Sequence, residues 1–193
     1  MRFSIGNKVV HPSHGPCLIG SVINMTVAGQ PASFQQLCLL DGSGNAVLIP
    51  SDKFGALHMR RLLAKSEIPK LLDHLETLVS PAKNWKQRTL DNAKLLSSGS
   101  AFDLAEIVES LTVLNEAKTL APRDRQTLDT ARKFLICEIS EVMGESKNVA
   151  ERQLDRALNS KRTLTKSNTA LAQLFPSRRS IKSPLPEVTS QSR

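Results

Sequence analysis

The sequence contains no tyrosine and a single tryptophan, and aromatic residues make up only 4% of its 193 residues. A sheet that recognises RNA by stacking bases on exposed aromatic rings is therefore not expected. Cysteine is also scarce, because Cys17, Cys38 and Cys137 are the only three. This small, odd number does not fit the disulfide framework of a secreted domain, so we expect reduced thiols.

Long hydrophobic runs are absent as well. No uninterrupted apolar segment approaches the roughly 20 residues that a helix needs to cross a bilayer. The first residues, from Met1 to Gly6, lack the apolar core of a secretory signal. The sequence thus predicts a cytoplasmic protein that makes no membrane contact.

Signals for catalysis and for a cofactor are weak. His11, His14 and Cys17 have the spacing His-x2-His-x2-Cys, and Cys38 could supply a fourth zinc ligand. The prolines and glycine between them indicate a strand–turn–strand segment, however, in which alternation does not bring three ligands together. The sequence also lacks a nucleophile motif and a glycine-rich phosphate-binding loop. We therefore predict a non-enzymatic protein with no metal and no cofactor.

The formal charge of +8 is concentrated near the C-terminus. Residues 160–193 contain seven of the 26 cations and one of the 18 acids, so residues 1–159 carry only two more cations than acids. The same segment is rich in serine and proline and has few large apolar residues after Phe175, which predicts a largely disordered basic tail. Such a tail can bind the phosphates of a nucleic acid or can simply keep the protein soluble, and charge alone leaves both alternatives open.

The first 64 residues show the pattern of β structure. Short runs rich in branched side chains alternate with turn-forming residues. The segment Asp41–Asn45 is a strong hairpin signal, because glycine and asparagine tolerate the positive φ angles of tight turns. Four or five short strands predict a small, strongly bent barrel of the SH3 or Tudor kind over residues 1–64. The predicted strands are Lys8–His11, Cys17–Val27, Phe34–Leu40 and Ala46–Ile49.

From Ser66 onward, apolar residues recur at helical spacing. Ser66 is the expected N-cap of a first helix that runs through Val79 and ends at Pro81. About five helices are predicted to form a compact bundle over residues 65–159. The fold class is therefore α+β, with a barrel, a bundle and a flexible basic tail in that order. The later helices are predicted at about Trp85–Leu96, Leu104–Leu114, Pro122–Val142 and Val149–Leu158.

The segment Pro81–Arg88 contains the only tryptophan, Trp85, beside three cations and no acid. An indole at a helix terminus can insert against a base or a sugar while neighbouring lysine and arginine side chains neutralise phosphates. The alternative is a tryptophan buried in the bundle core, which its spacing alone favours because tryptophan is usually largely buried. A second group of cations is interleaved with two acids and indicates an ordinary solvated helix face. This group consists of Lys118, Arg123, Arg125, Arg132 and Lys133.

Motifs from both halves of the chain follow one another in an ordered series. The chain opens with Phe3-x-Ile5-Gly6-Asn7-x-Val9-Val10-His11-Pro12-x-His14-Gly15 and continues with Asn84-Trp85-x-x-Arg88 and Leu96-x-Ser98-Gly99. Further motifs are Ala105-Glu106-Ile107-Val108-x-x-Leu111 and Leu128-x-x-Ala131-Arg132-x-x-Leu135-x-x-Glu138. Over residues 1–158 this order resembles the CarD/CdnL family of bacterial transcription regulators, and the basic tail lies outside the resemblance.

The resemblance implies a function for each half. It implies that the Tudor-like barrel binds the β subunit lobe of bacterial RNA polymerase. It also implies that Trp85 enters the minor groove at the upstream edge of the open promoter bubble, while Lys86 and Arg88 hold phosphates. Arg123 and Arg125 are further candidate contacts to the DNA backbone. By the same resemblance we expect a monomer, associated with the nucleoid, that stabilises the open complex.

The sequence departs from the family on the barrel. Family members carry arginines that contact polymerase at positions where this chain has Met25 and Leu48. The candidate polymerase-binding residues are therefore Met25, Val27 and Leu48, which are all uncharged. Because an apolar side chain cannot replace an ion pair in kind, a second hypothesis stays open. In that hypothesis the protein is an interaction adaptor with a Tudor-like barrel and no specific role on DNA.

Overall fold

The computed structural model describes the backbone of residues 3–75 and 84–174, and the side chains of these ranges up to residue 160. Met1–Lys161 form one compact unit and Arg162–Arg193 form another. The sheet and the helix contacts described below belong to the first unit. Of the predicted basic tail, residues 175–193 lie outside the described residues.

The N-terminal half is a five-stranded antiparallel sheet, as the sequence predicts. Its strand order is β4-β3-β2-β1-β5, so β4 and β5 form the edges of the sheet. The hairpin between β3 and β4 is made by the predicted segment Asp41–Asn45, in which Gly42 and Gly44 have positive φ angles. The strands are β1 Lys8–His11, β2 Gly15–Val27, β3 Gln30–Leu39, β4 Ala46–Pro50 and β5 Arg60–Arg61.

The core of the sheet is aliphatic, because the chain has few aromatic residues to fill it. Val9, Cys17, Ile19, Leu37 and Ile49 form a buried cluster. A bulge in β2 between Ile19 and Val22 places an extra residue opposite β3. The side chain of Gln35 donates a hydrogen bond of 2.7 Å to the carbonyl of Gly20 in this bulge. The bulge therefore shifts which side chains of β2 belong to which face.

The C-terminal half is helical. The helices are α1 Ser51–Phe54, a 3-10 helix Lys65–Glu67, α2 Ile68–Leu75, α3 Trp85–Ser98, α4 Ala101–Ala117, α5 Pro122–Met143 and α6 Lys147–Leu174. The predicted starts of α3 and α5 are confirmed, and the two helices run to Ser98 and Met143, two residues and one residue further than predicted. Each is ended by a glycine in the left-handed conformation, Gly99 and Gly144. Within the described residues, no helix is long and apolar enough to cross a membrane.

Three predictions about the helices differ from the structure. Ser66 is not an N-cap, because it lies inside the 3-10 helix, where the Glu67 carboxylate accepts a hydrogen bond from the Ala64 amide instead. The last helix does not stop near Leu158 but continues to Leu174. Helix α1 was not predicted at all. The predicted continuation of α2 through Val79 to Pro81 lies outside the described residues.

The bundle core is built on α4 and α5. Leu104, Ile107 and Leu111 of α4 and Leu135 and Ile139 of α5 are all completely or almost completely buried. Their spacing of three and four residues puts each set on one face of its helix, as the sequence predicts. Residues of α2 and α6 complete the cluster, among them Ile68, Leu71, Leu75, Ala150 and Leu154.

The sheet and the bundle are joined by an ion pair between a buried carboxylate and a partly buried arginine. Glu138 of α5 is 0% exposed, and its carboxylate accepts hydrogen bonds of 2.6 and 2.8 Å from the Arg60 guanidinium and one of 2.9 Å from the Leu63 amide. Arg60 also donates through Nε to the carbonyl of Gly99 at 2.6 Å. A buried carboxylate is stable only when its hydrogen bonds are satisfied in this way. The pair therefore fixes β5, the end of α3 and α5 against one another.

Candidate nucleic-acid interface

Helix α3 begins at the tryptophan. Asn84 is the N-cap, and its side-chain oxygen accepts a hydrogen bond of 2.9 Å from the Lys86 amide. Trp85, the first helical residue, is 63% exposed. The alternative of a tryptophan buried in the bundle core is therefore wrong. A largely exposed indole at a helix terminus is unusual, because tryptophan burial normally contributes strongly to stability.

Lys86 accompanies the exposed indole. Its side chain is exposed, and its ammonium nitrogen lies 5.7 Å from the centre of the Trp85 ring. At this distance the cation is attracted to the face of the ring. A flat apolar group and a positive charge are thus presented side by side, which is the combination that suits a base or sugar next to a phosphate.

Arg88 is buried and is therefore not placed to bind a phosphate. It is only 6% exposed, and its Nη2 and Nε atoms lie 2.7 and 3.3 Å from Oδ2 of Asp124, which is itself 6% exposed. This buried pair joins the first turn of α3 to the first turn of α5. The predicted contact of Arg88 with phosphate does not fit this arrangement, because the guanidinium is buried against its partner carboxylate. Arg88 instead positions the start of α3, and with it Trp85.

Of the five cations predicted as a second group, Lys118 is exposed directly after α4, and the other four divide into two sets. Arg123 and Arg125, on either side of Asp124, are exposed at the start of α5. Arg132 donates to Asp155 at 2.7 Å, and Lys133 donates to Asp41 at 2.7 Å. The second set therefore belongs to ion pairs within the fold, as expected for an ordinary helix face, whereas Arg123 of the first set lines a groove against α3.

A small groove separates α3 from the start of α5. It has a volume of about 120 Å³ and is lined by Thr89, Asn92, Ala93, Leu96, Arg123, Asp124 and Thr127. Asn92 is 6% exposed, and its Nδ2 has no hydrogen-bond partner in the part of the chain that the structure describes. Sequence reasoning missed Asn92, because an asparagine in a polar helix gives no signal that it is buried.

The three candidate polymerase-binding residues share one face of the sheet. Met25 and Val27 pair with Ala32 and Gln30 of β3, and Leu48 pairs with Gln36. Because paired residues lie on the same face and β3 alternates, all three fall on the face opposite the buried core. Their exposed fractions are 37%, 47% and 39%. Ile23 and Phe34 pair with each other on that face, between Met25 and Leu48. We call these five residues the apolar sheet patch.

His11 lies in a turn, and Cys17 and Cys137 are buried. The Nδ1 atom of His11 accepts a hydrogen bond of 3.1 Å from the Ser13 amide, as in a structural turn. Burial raises the pKa of the Cys17 thiol to about 12 and that of the Cys137 thiol to about 11, so both are protonated near neutral pH. Among the described residues, no three His, Cys, Asp or Glu side chains are grouped as metal ligands.

Comparison with known proteins gives two family matches that follow one another along the chain. The CarD-like/TRCF RID domain matches residues 3–63, and the CarD C-terminal domain matches residues 70–155. The chain is also 26% identical over 155 residues to a Bacillus subtilis (strain 168) protein described as "Putative transcription factor YdeB". That alignment covers 79% of this chain and 97% of the relative. The two matches together span the sheet and the bundle, so the chain belongs to the CarD-like family, whose role is in transcription.

Proposed function

We propose that this protein regulates transcription by binding RNA polymerase through its sheet and promoter DNA through Trp85. In this proposal the sheet contacts the β subunit lobe, and Trp85 contacts the upstream edge of the transcription bubble. The result is a longer-lived open complex. The observation that carries the proposal is the 63% exposure of Trp85 at the start of α3.

The wedge mechanism follows from differential affinity. A flat ring inserts readily where bases are already unstacked, and insertion into an intact duplex costs the unstacking free energy. A group that binds the open state more tightly than the closed state shifts the equilibrium toward the open state by that difference. Trp85 would therefore slow the collapse of the bubble without reading its sequence.

Backbone contacts would come from exposed cations at the starts of α3 and α5. Lys86 is exposed in the first turn of α3. Arg123 and Arg125 are exposed at the start of α5. Cations that neutralise phosphates increase affinity without sequence preference and make binding sensitive to salt. Arg88 would act indirectly, because its pair with Asp124 fixes the helix terminus that presents the indole.

The apolar sheet patch is the candidate polymerase surface. The patch lies within residues 3–63, which match the CarD-like/TRCF RID domain. Membership of this domain family supports an interaction with RNA polymerase. Since Met25, Val27 and Leu48 carry no charge, we expect this contact to depend on apolar burial and to be less sensitive to salt than a contact made by arginines.

The test is the lifetime of the open promoter complex in the presence of the full-length protein. Wild type is compared with Trp85→Ala and with Leu90→Ala, which removes another exposed apolar side chain (58% exposed) from the same helix. We expect wild type and Leu90→Ala to extend the lifetime and Trp85→Ala to lose most of this effect. If wild type and Trp85→Ala give the same lifetime, the wedge mechanism is refuted. Retained binding to the isolated β lobe would then favour the adaptor hypothesis.

A further inference from the structure

We infer that residues 156–182 form a basic arm that binds the phosphate backbone of fully paired DNA. In this range the sequence has seven cations and no acid, and the next acid along the chain is Glu187. The arm is a second contact with DNA, and it needs neither Trp85 nor an opened bubble. The inference therefore goes beyond the proposed function, in which Trp85 recognises the open state.

The arm begins where the family match ends. The CarD C-terminal domain matches residues 70–155, whereas helix α6 continues to Leu174. The charge of α6 changes at the same point. Before residue 156 the helix contains two cations and two acids, and from residue 156 onward it contains four cations and no acid. The sequence beyond the matched domain is thus a separate, strongly basic segment.

The cations at the start of the arm are not neutralised within the fold. The two acids of α6, Glu151 and Asp155, lie 3.8 and 2.7 Å from the Arg132 guanidinium of α5. Arg152 and Arg156 are exposed, and neither forms an ion pair among the described residues. Because Arg132 contacts both acids, the positive charge of these two arginines remains available to an anionic partner.

The spacing of the cations along α6 also favours an anionic partner. Arg152 and Arg156 are four residues apart, and so are Arg162 and Lys166 further along the same helix. Like charges at this spacing lie on one side of a helix and destabilise it. Phosphates bound beside them would remove this repulsion. A segment that only kept the protein soluble would need net charge alone, with no helix to space it.

Nucleic acid fits this charge better than an anionic membrane surface does. A helix that lies on a membrane has a broad apolar face, usually with aromatic residues. Residues 156–174 contain no aromatic residue, and the first of their four leucines, Leu158, is buried in the bundle core. The family's role in transcription also brings the chain to DNA. Contacts between lysine or arginine and phosphate need no particular base sequence.

The experiment measures the affinity of the full-length protein for a fully paired duplex at several salt concentrations. The arm variant carries Arg156→Gln, Lys161→Gln, Arg162→Gln and Lys166→Gln, and glutamine keeps the helix propensity close to that of lysine and arginine. We expect the arm variant to bind at least about tenfold more weakly at low salt. Its salt slope should decrease by up to about 3.6, because each lost phosphate contact lowers the slope by about 0.9.

A matched control separates the position of the charges from the net charge. The control variant carries four substitutions that remove the same charge from exposed positions before α3, and it should keep the wild-type affinity and salt slope. If the arm variant binds like the wild type, or if both variants lose affinity equally, the inference is overturned. The four control substitutions are Lys53→Gln, Arg61→Gln, Lys65→Gln and Lys70→Gln.

Co-sedimentation with vesicles of phosphatidylcholine and phosphatidylglycerol tests the other polyanion. We expect the wild type and the arm variant to sediment alike. If the wild type binds these vesicles and the arm variant does not, while both bind the duplex equally, the partner of the arm is a membrane and the inference is wrong.

The outcomes also separate the inference from the proposed function. Trp85→Ala should bind the fully paired duplex as the wild type does. If the arm variant loses duplex binding and Trp85→Ala leaves the open-complex lifetime unchanged, the inference stands and the wedge mechanism fails. If Trp85→Ala shortens the lifetime and the arm variant binds the duplex like the wild type, the proposed function stands and the inference fails.

Discussion

Replacing Glu138 by glutamine tests whether the sheet and the bundle act as one structural unit. Glu138 is completely buried and accepts three hydrogen bonds, two from Arg60 and one from Leu63. Glutamine keeps the size of the side chain but removes the charge. Its NH2 group would also face an NH2 group of the Arg60 guanidinium, and two donors cannot form a hydrogen bond with each other. Removing one partner of a buried ion pair typically costs 3–5 kcal/mol, and the Arg60 side chain is 27% exposed, so we expect about 3 kcal/mol.

The assay is equilibrium unfolding in urea. With a denaturant slope of about 2 kcal/mol per molar, Glu138→Gln should lower the midpoint by about 1.5 M. Glu141→Gln is the matched control, because Glu141 lies one turn further along α5 and pairs with the exposed Lys8 at 2.7 Å. An exposed pair of this kind contributes less than about 1 kcal/mol, so the midpoint should move by less than about 0.5 M.

A double-mutant cycle completes the test. Arg60→Met is made alone and together with Glu138→Gln, and the coupling free energy between the two sites is expected to be about 1–3 kcal/mol. If Glu138→Gln lowers the midpoint no more than Glu141→Gln, or if the two substitutions are additive, the ion pair is not what holds the two halves together. The contacts of the surrounding apolar residues would then have to explain their association.

Two further predictions follow from the surface and from the loop between β3 and β4. Met25→Lys should weaken binding to the isolated polymerase β lobe by tenfold or more, because it introduces a charge into the apolar sheet patch. The control Asn24→Lys, on the opposite face of β2, should not weaken binding. Equal binding by the wild type and both variants would exclude the patch from the interface. Hydrogen bonds from Lys133 and Ser43 hold the pKa of Asp41 well below its usual range, so its stabilising effect is present at neutral pH and is lost as the pH falls below about 4. Asp41→Asn should therefore flatten the decrease of melting temperature on acidification, and an unchanged acid profile would contradict this reasoning.

Local boundaries could be predicted from the sequence because they depend on neighbouring residues. The hairpin at Asp41–Asn45, the left-handed glycines after α3 and α5, and the proline at the start of α5 are all found where the pattern puts them. Each of these features is decided by backbone conformations that few residue types adopt. The α+β fold class, with a sheet followed by helices, is confirmed as well.

Features that depend on distant residues could not be predicted in the same way. Arg88 looks like a surface cation until Asp124, 36 residues later in the chain, is found beside it. The burial of Asn92 depends in the same manner on how α5 packs against α3. The bulge that decides which face of β2 presents Met25 is visible only in the pairing register with β3. Trp85 is exposed although its spacing alone favours burial. Only the resemblance to the family favours its exposure.

The buried carboxylate of Glu138 has a consequence for where on a promoter this protein would act. Because β5, the end of α3 and α5 are fastened at this one group, a polymerase holding the sheet would hold the indole at a constant distance from itself. The distance from the polymerase, and not the DNA sequence, would then determine which base-pair step Trp85 contacts. Promoters of unrelated sequence should accordingly show the same protected step, shifted by one base pair wherever the transcription start site is shifted by one.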